Sequence, residues 1–418
     1  MTTTKNNENK KLNFSNEREQ SQACLNSAEH EKNQGRKVLN VPNLRFPEFE
    51  GEWSVTTLQK DCIVNPTNEK IADKFVYIDL ESVTQGQLNK QQVLVKEEAP
   101  SRAQRVLHTD DILFQCVRPY QKNNYIVKDT MSGIQWVAST GYAQIRTQID
   151  NPTFLYYVLN TSKYNKAVMV RCTGSSYPAI NSEDLSKIPF YKCGIAEQKK
   201  IGKFLSLLDE RIATQNKIID RLQTLIKGIV DSTILRKEKN AIVGDVCSIS
   251  EQIRAEANID DIITVRLHGN GVCKSSAENL QLGATQYYRR RAGQLIYGKQ
   301  NFHNGAIGIV PISLDNGITS KDIPSFDIDE MKCNSVYLLA QLQSPQYYKP
   351  AEALTTGTGS KRLKEETFLK MPIVLPNKRE QDNIATLIIS ISANLDQAKK
   401  MLDLFSIQKQ YLLRQMFI

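Results

Sequence analysis

Ile195-Ala196-Glu197-Gln198-Lys199-Lys200-Ile201-Gly202-Lys203-Phe204-Leu205 opens the stretch whose reading decides the fold. From Ile201 the steps alternate between four and three residues, through Leu205, Leu208, Ile212, Gln215, Ile219, Leu222, Ile226 and Ile229 to Thr233. Eight of these ten positions are apolar. A 3.5-residue apolar period held over more than four heptads is the pattern of a coiled-coil seam; an ordinary amphipathic helix shows a broader stripe and a shorter run. A helix over the 39 residues from Glu197 to Leu235 would span about 58 Å at about 1.5 Å per residue.

The opening pair returns. Glu197-Gln198 recurs as Glu380-Gln381, 183 residues on, and one ungapped offset aligns much else. Leu155, Leu159, Tyr164 and Lys166 fall on Leu338, Leu342, Tyr347 and Lys349. Thr173-Gly174 falls on Thr356-Gly357, and Glu183, Lys187 and Pro189 fall on Glu366, Lys370 and Pro372. A second seam follows through Ile384, Ile388, Ile391, Leu395, Ala398, Leu402, Phe405, Lys409, Leu412 and Met416. The period is far longer than a solenoid repeat, so it reads as a duplicated domain. The first long helix delivers the chain to the second half, so the second must run back to cover the same seam. The expected fold is α+β: two tandem similar domains, each followed by a long helix, the helices forming an antiparallel coiled coil with pseudo-two-fold symmetry. The expected boundaries are a polar, disordered leader over 1–40, a first domain over 41–195, a helix over 196–236, a second domain over 237–378 and a helix over 379–418.

Within the halves, short runs rich in β-formers suggest strands at Lys74–Leu80, Asp111–Phe114, Tyr125–Val127 and Leu295–Tyr297, with one helix per half over Thr153–Val170 and Ser335–Tyr348. At 418 residues the chain is long enough for two or three domains. No stretch of about 18 apolar residues occurs, and the first residues lack the apolar core of a signal peptide. The eight cysteines include no CxxC pair, which argues against a zinc site or a disulfide framework. The cytoplasm is the expected location. A formal net charge of +9 favours a polyanionic partner.

Catalytic signatures are missing. Gly269-Asn270-Gly271-Val272-Cys273-Lys274-Ser275 has Cys273 where a phosphate loop needs glycine before the lysine, so it reads as a surface hairpin. No GxGxxG marks an adenosine site. The histidines are isolated, and Asp110-Asp111 and Asp260-Asp261 precede apolar runs as turn or strand-entry residues. The chain does not read as an enzyme.

Polar, basic loops carrying aromatics remain as candidate DNA contacts. In the first half they are Arg118, Tyr120, Lys122 and Asn123, then Thr173, Gly174, Ser175, Ser176 and Tyr177. In the second they are Arg289, Arg290 and Arg291, then Lys299, Gln300 and Asn301, then Thr356, Gly357, Thr358, Gly359, Ser360, Lys361 and Arg362. Arginine, lysine, asparagine and glutamine can pair with purine edges, and glycine- and hydroxyl-rich loops bring backbone N–H groups to phosphates. Leu207, Ile218, Leu225 and Val230 lie off the first seam, and Met401 and Leu413 off the second; exposed apolar stripes of this kind mark a partner surface.

These features resemble the specificity subunit of a type I restriction–modification enzyme. The resemblance rests on Val41-Pro42-Asn43-Leu44-Arg45-Phe46-Pro47-Glu48-Phe49 before Trp53, on Arg118-Pro119, on the Thr-Gly loops, and on Glu197-Gln198 and Glu380-Gln381 opening long helices. It covers about residues 41–418, and the polar leader before Val41 departs from it. It implies two domains that each read one part of a split sequence in double-stranded DNA, and helices that dock two methyltransferase subunits, with restriction/translocase subunits joining the assembly. It places S-adenosylmethionine, ATP and magnesium on those partners and none on this chain. Two other readings are a coiled-coil scaffold without sequence-specific DNA binding and a self-contained methyltransferase or nuclease; the latter lacks its motifs.

Overall fold

The computed structural model describes residues 39–418 apart from 68, 129–132, 276–284 and 358–360. Almost all of the 1–40 leader therefore lies outside the described residues. The fold is α+β, with two long helices, Ile195–Val230 and Lys378–Gln415. Contacts group the chain into two units, Met1–Asp209 with Ile407–Ile418, and Glu210–Ser406. Among the described residues no helix is long and apolar enough to cross a membrane.

In the first unit, one four-stranded antiparallel sheet runs in the order Cys62–Val64, Tyr142–Thr147, Ile112–Gln115, Tyr125–Ile126. A second runs Gln92–Val95, Lys74–Ile78, Gln135–Ser139, Ala103–Leu107, its central pair parallel. That central pair is buried on both faces, as parallel strands usually are. Alternation splits its side chains: Val76, Ile78, Trp136 and Ala138 join one apolar cluster, while Phe75, Tyr77 and Val137 join another.

In the second unit, a four-stranded antiparallel sheet runs Cys247–Ile249, Ser325–Ile328, Leu295–Tyr297, Ile307–Ile309. Leu295 lies 183 residues after Ile112, and Ser325 the same distance after Tyr142. Aromatic rings fill the core: Tyr297 stacks on Phe326 at 5.7 Å and meets Phe368 at 4.7 Å. The phosphate-loop look-alike is a hairpin, Ile263–Val265 against Val272–Lys274, with Gly269 and Gly271 at positive φ.

The Glu-Gln pairs have a structural cause. Asn151 caps the helix Pro152–Asn160 by accepting the Phe154 N–H, and its own N–H donates to Gln198 Oε1 at 2.8 Å. In the second unit Asn334 caps Ser335–Leu342 by accepting the Val336 and Tyr337 N–H groups, and its N–H donates to Gln381 Oε1 at 2.9 Å. Both glutamines are buried, so each domain helix is tied at its N-terminus to the start of a long helix. Their neighbours bind cations: Arg45 donates twice to Glu197 at 2.8 Å, which raises its pKa, and Lys237 pairs with Glu380.

Two helices expected as continuous are broken. Thr161 adopts extended geometry, and its hydroxyl accepts from the Tyr164 N–H, so Pro152–Asn160 stops and Ser162–Arg171 starts afresh. Ser344 is extended too, and Pro345, which has no N–H to give, opens Pro345–Tyr348. The first long helix ends as α-helix at Val230 rather than Leu235. A π turn, Asp231–Leu235, closes it, where the Ser232 and Thr233 hydroxyls donate back to Gly228 O and Ile229 O at 2.8 and 2.7 Å.

None of the ten positions of either seam is exposed. In the second unit Ile219 packs with Leu395 and Ala398, flanked by Leu222, Ile226 and Leu402. Gln215 Nε2 donates to Ala398 O at 3.1 Å, while farther along Lys237 pairs with Glu380, so these segments run antiparallel. In the first unit Lys409 pairs with Asp209 at 2.6 Å, and Phe417 sits 5.5 Å from Phe154 and 6.2 Å from Trp53.

Candidate nucleic-acid interface

In the first unit two of the expected loops meet. A β-bridge joins Val117 to Ala179, the Arg118 N–H donates to Pro178 O at 2.8 Å, and the Ile180 N–H donates to Cys116 O at 3.0 Å. The Thr173–Ala179 loop is closed at its base by reciprocal backbone bonds between those two residues, 2.8 and 2.9 Å. Gly174 has φ +87°, and a Cβ there would stand 3.0 Å from Tyr177 O, so the turn requires glycine. Thr173 to Tyr177 are all exposed, Tyr177 at 62%, and the Arg118 guanidinium lies 4.5 Å over the Tyr177 ring.

The Arg118–Asn124 loop is fixed by amides. Arg118 and Lys122, both left-handed, flank the turn Pro119–Gln121. The Gln115 N–H donates to Asn124 Oδ1 at 2.8 Å, the Asn123 N–H to Gln115 Oε1 at 3.1 Å, and Asn165 Nδ2 to Pro119 O at 3.0 Å. Tyr120 stands exposed at the tip. Lys122 is half-buried, its ammonium donates to Asn160 O at 3.3 Å, and burial lowers its pKa.

The second unit repeats this arrangement at the 183-residue offset. The Leu363 N–H donates to Lys299 O at 2.9 Å, the counterpart of Ile180 to Cys116. Thr356 and Arg362 exchange backbone bonds of 3.1 and 2.9 Å, the counterpart of Thr173 and Ala179. Gln300, Asn301, Thr356, Gly357, Lys361 and Arg362 are exposed beside one another, with Lys361 paired to Glu352 and Arg362 to Asp322 at 3.2 and 3.3 Å. Thr358, Gly359 and Ser360 lie outside the described residues.

Three expected contacts need correction. Arg290 is fully buried: Nε donates to Thr319 Oγ1 at 2.7 Å, Nη1 to Ser325 Oγ at 2.9 Å and Nη2 to Ile323 O at 3.0 Å. Burial pushes its pKa down to about 10, and no base edge can reach it. Arg289 and Arg291, on either side of it, are exposed instead. Lys299 is largely covered and held at 2.6 Å by Glu365, so it braces the loop rather than offering a free cation. Val230, expected on the partner surface, is buried in the second unit's core at 6% exposure. Leu207, Ile218, Leu225 and Met401 are exposed, while Leu413 is half-buried.

Among the described residues no group of three or more His, Cys, Asp or Glu side chains is placed to hold a metal. Burial pushes the thiols of Cys62, Cys116, Cys247 and Cys333 up to about 12, which leaves them protonated and unreactive at neutral pH.

The family model of the type I restriction modification DNA specificity domain matches residues 64–224. The match covers less than half of the chain, and over that stretch the chain is similar to the DNA specificity domain of type I restriction–modification systems. The S subunit of a type I restriction–modification system from M. genitalium has the same fold: TM-score 0.59 at 13% identity, over 90% of this chain and 99% of that one. Also similar are the HsdS subunit from Thermoanaerobacter tengcongensis, with TM-score 0.39, 18% identity and coverage of 87% and 96%. A chain from a study of complex assembly and conformational transition in a type I R-M system gives 0.49, 18%, 86% and 96%. No curated relative matches the chain. The matched domain supports a DNA sequence-specificity subunit, and the reading as a scaffold without DNA specificity is not favoured.

One exposed element beside the Arg118 loop escaped the sequence reading, the hairpin Val83–Thr84 with Gln87–Leu88. The Gln85 N–H donates to Asn123 Oδ1 at 3.0 Å. Its signal, an X-Gly pair between short β-prone runs, is present as Gln85-Gly86.

Proposed function

We propose that the chain reads a split sequence in double-stranded DNA, one part with the Arg118 and Thr173–Tyr177 loops and the other with the Lys299–Asn301 and Thr356–Arg362 loops. The observation that carries this reading is the pair of matching backbone bonds, Ile180 to Cys116 and Leu363 to Lys299, which pin both loop sets at the same offset in otherwise diverged sequence. Tyr120, Tyr177, Gln300, Asn301, Lys361 and Arg362 are exposed and Arg118 and Asn123 half-buried, and together they supply amides, cations and rings suited to bases and phosphates.

The two long helices then act as the spacer, paired as an antiparallel coiled coil. Gln215 and Ala398 are separated by the repeat offset of 183 and touch each other. In a two-fold arrangement only residues on the axis meet their own counterparts, which supports a local pseudo-two-fold at this point of the helix pair. The exposed Leu207, Ile218, Leu225 and Met401 are suited to two methyltransferase subunits, with restriction/translocase subunits recruited to the assembly. S-adenosylmethionine, ATP and magnesium belong in this reading to those partners. The chain itself positions them on DNA in the cytoplasm and takes no part in bond making.

Selection of bound duplexes from a randomised library, by the full chain with its co-purifying partners, tests the reading. Two short runs of fixed bases separated by unread positions are expected. A library returned without sequence preference would refute it.

A further inference from the structure

We infer that the hairpin Val83–Leu88 is a base-reading element of the first half-site and that Gln85 takes an adenine there; this rests on the DNA-reading function proposed above. Val83 pairs with Leu88 and Thr84 with Gln87, which leaves Gln85-Gly86 as a two-residue turn. Both turn residues have positive φ, 51° and 80°, the geometry of a type I′ hairpin. The first position of such a turn favours asparagine or glycine. A glutamine there stands against local preference, and conformations of that kind cluster at functional sites.

The hairpin is seated on the interface already described. The Gln85 N–H donates to Asn123 Oδ1 at 3.0 Å, on the loop whose Arg118 lies over Tyr177. A Cβ at Gly86 would stand 2.3 Å from the Tyr156 hydroxyl and 3.6 Å from Asn124 O, so the turn lies tight against its support. Strand alternation sends Val83 into the core and leaves Thr84 and Gln87 exposed, with Gln85 exposed at the tip. The backbone is therefore held while three polar side chains stay free.

These side chains are uncharged, which suits base edges better than phosphates. A two-stranded ribbon fits the major groove, and a glutamine amide can donate to adenine N7 while accepting from its N6 amino group.

The test measures binding of the full chain to its selected target and to duplexes with each base pair replaced in turn, for the wild type, Gln85→Ala and Gln85→Gly. Glycine fits the left-handed turn better than glutamine does, so Gln85→Gly keeps the hairpin and removes only the amide. Both variants are expected to lose about 5- to 150-fold discrimination at one A·T pair, with every other position unchanged and thermal stability equal or higher for Gln85→Gly. Full discrimination at every position in both variants would overturn the hairpin assignment. A wild-type chain that binds every duplex equally would instead overturn the proposed function on which it rests.

Discussion

Replacing Arg290 by alanine should unfold the second unit's strands rather than relax base choice. The guanidinium makes three short bonds, to Thr319 Oγ1, Ser325 Oγ and Ile323 O. Each bond to a charged group is worth about 1.5–3 kcal/mol, giving about 5–9 kcal/mol gross. Against this, burial lowers the pKa from 12.5 to about 10, a cost of about 3 kcal/mol at about 1.4 kcal/mol per unit. The net loss expected for Arg290→Ala is thus about 2–6 kcal/mol. Both tryptophans, Trp53 and Trp136, lie in the first unit, so tryptophan fluorescence should report an unmoved transition there. Hydrogen exchange should show the effect in the paired strands Tyr287–Arg289 and Ile318–Ser320. Unchanged exchange in those strands, with discrimination lost at a single base pair, would refute the reasoning.

Gln198→Ala and Gln381→Ala each strand the cap N–H of Asn151 or Asn334 and should cost about 2–4 kcal/mol in the unit concerned, read by urea unfolding. Glu352→Gln frees Lys361; binding to all duplexes should tighten alike and the salt dependence steepen by about one charge, whereas Lys361→Ala should do the reverse. Leu225→Asp, at an exposed helix position, should abolish methyltransferase co-purification and leave the circular dichroism spectrum intact; Leu413→Asp, half-buried, should cost stability as well. Inserting four residues, about one helical turn, into both seams should change the number of unread base pairs in selected targets, and an unchanged spacing would remove the helices as a ruler.

The long helices were legible because their signal is local: apolar residues every 3.5 positions need no knowledge of the partner. The offset of 183 was legible because Gln198 and Gln381 do the same work, and identical work keeps identical residues. The breaks at Thr161 and Pro345 were written in the sequence as a capping threonine and a proline, yet apolar periodicity runs through both. Arg290 was misread because a run of three arginines counts as charge, while its partners Thr319, Ile323 and Ser325 lie far along the chain. Its neighbours Arg289 and Arg291 are both exposed, and nothing in the run itself marks the middle arginine as the one turned inward. The Gln85-Gly86 turn was passed over although its X-Gly pair is a local turn signal, and its support on Asn123 is a long-range contact that no local pattern encodes.

Mapping modified bases across the genome of a cell that carries the chain and its partner subunits tests the split-target reading most directly. Two short specified blocks separated by a fixed number of unread base pairs are expected, with Gln85→Gly altering only one block. A single contiguous motif, or modification without any motif, would contradict the assignment of one half-site to each set of loops.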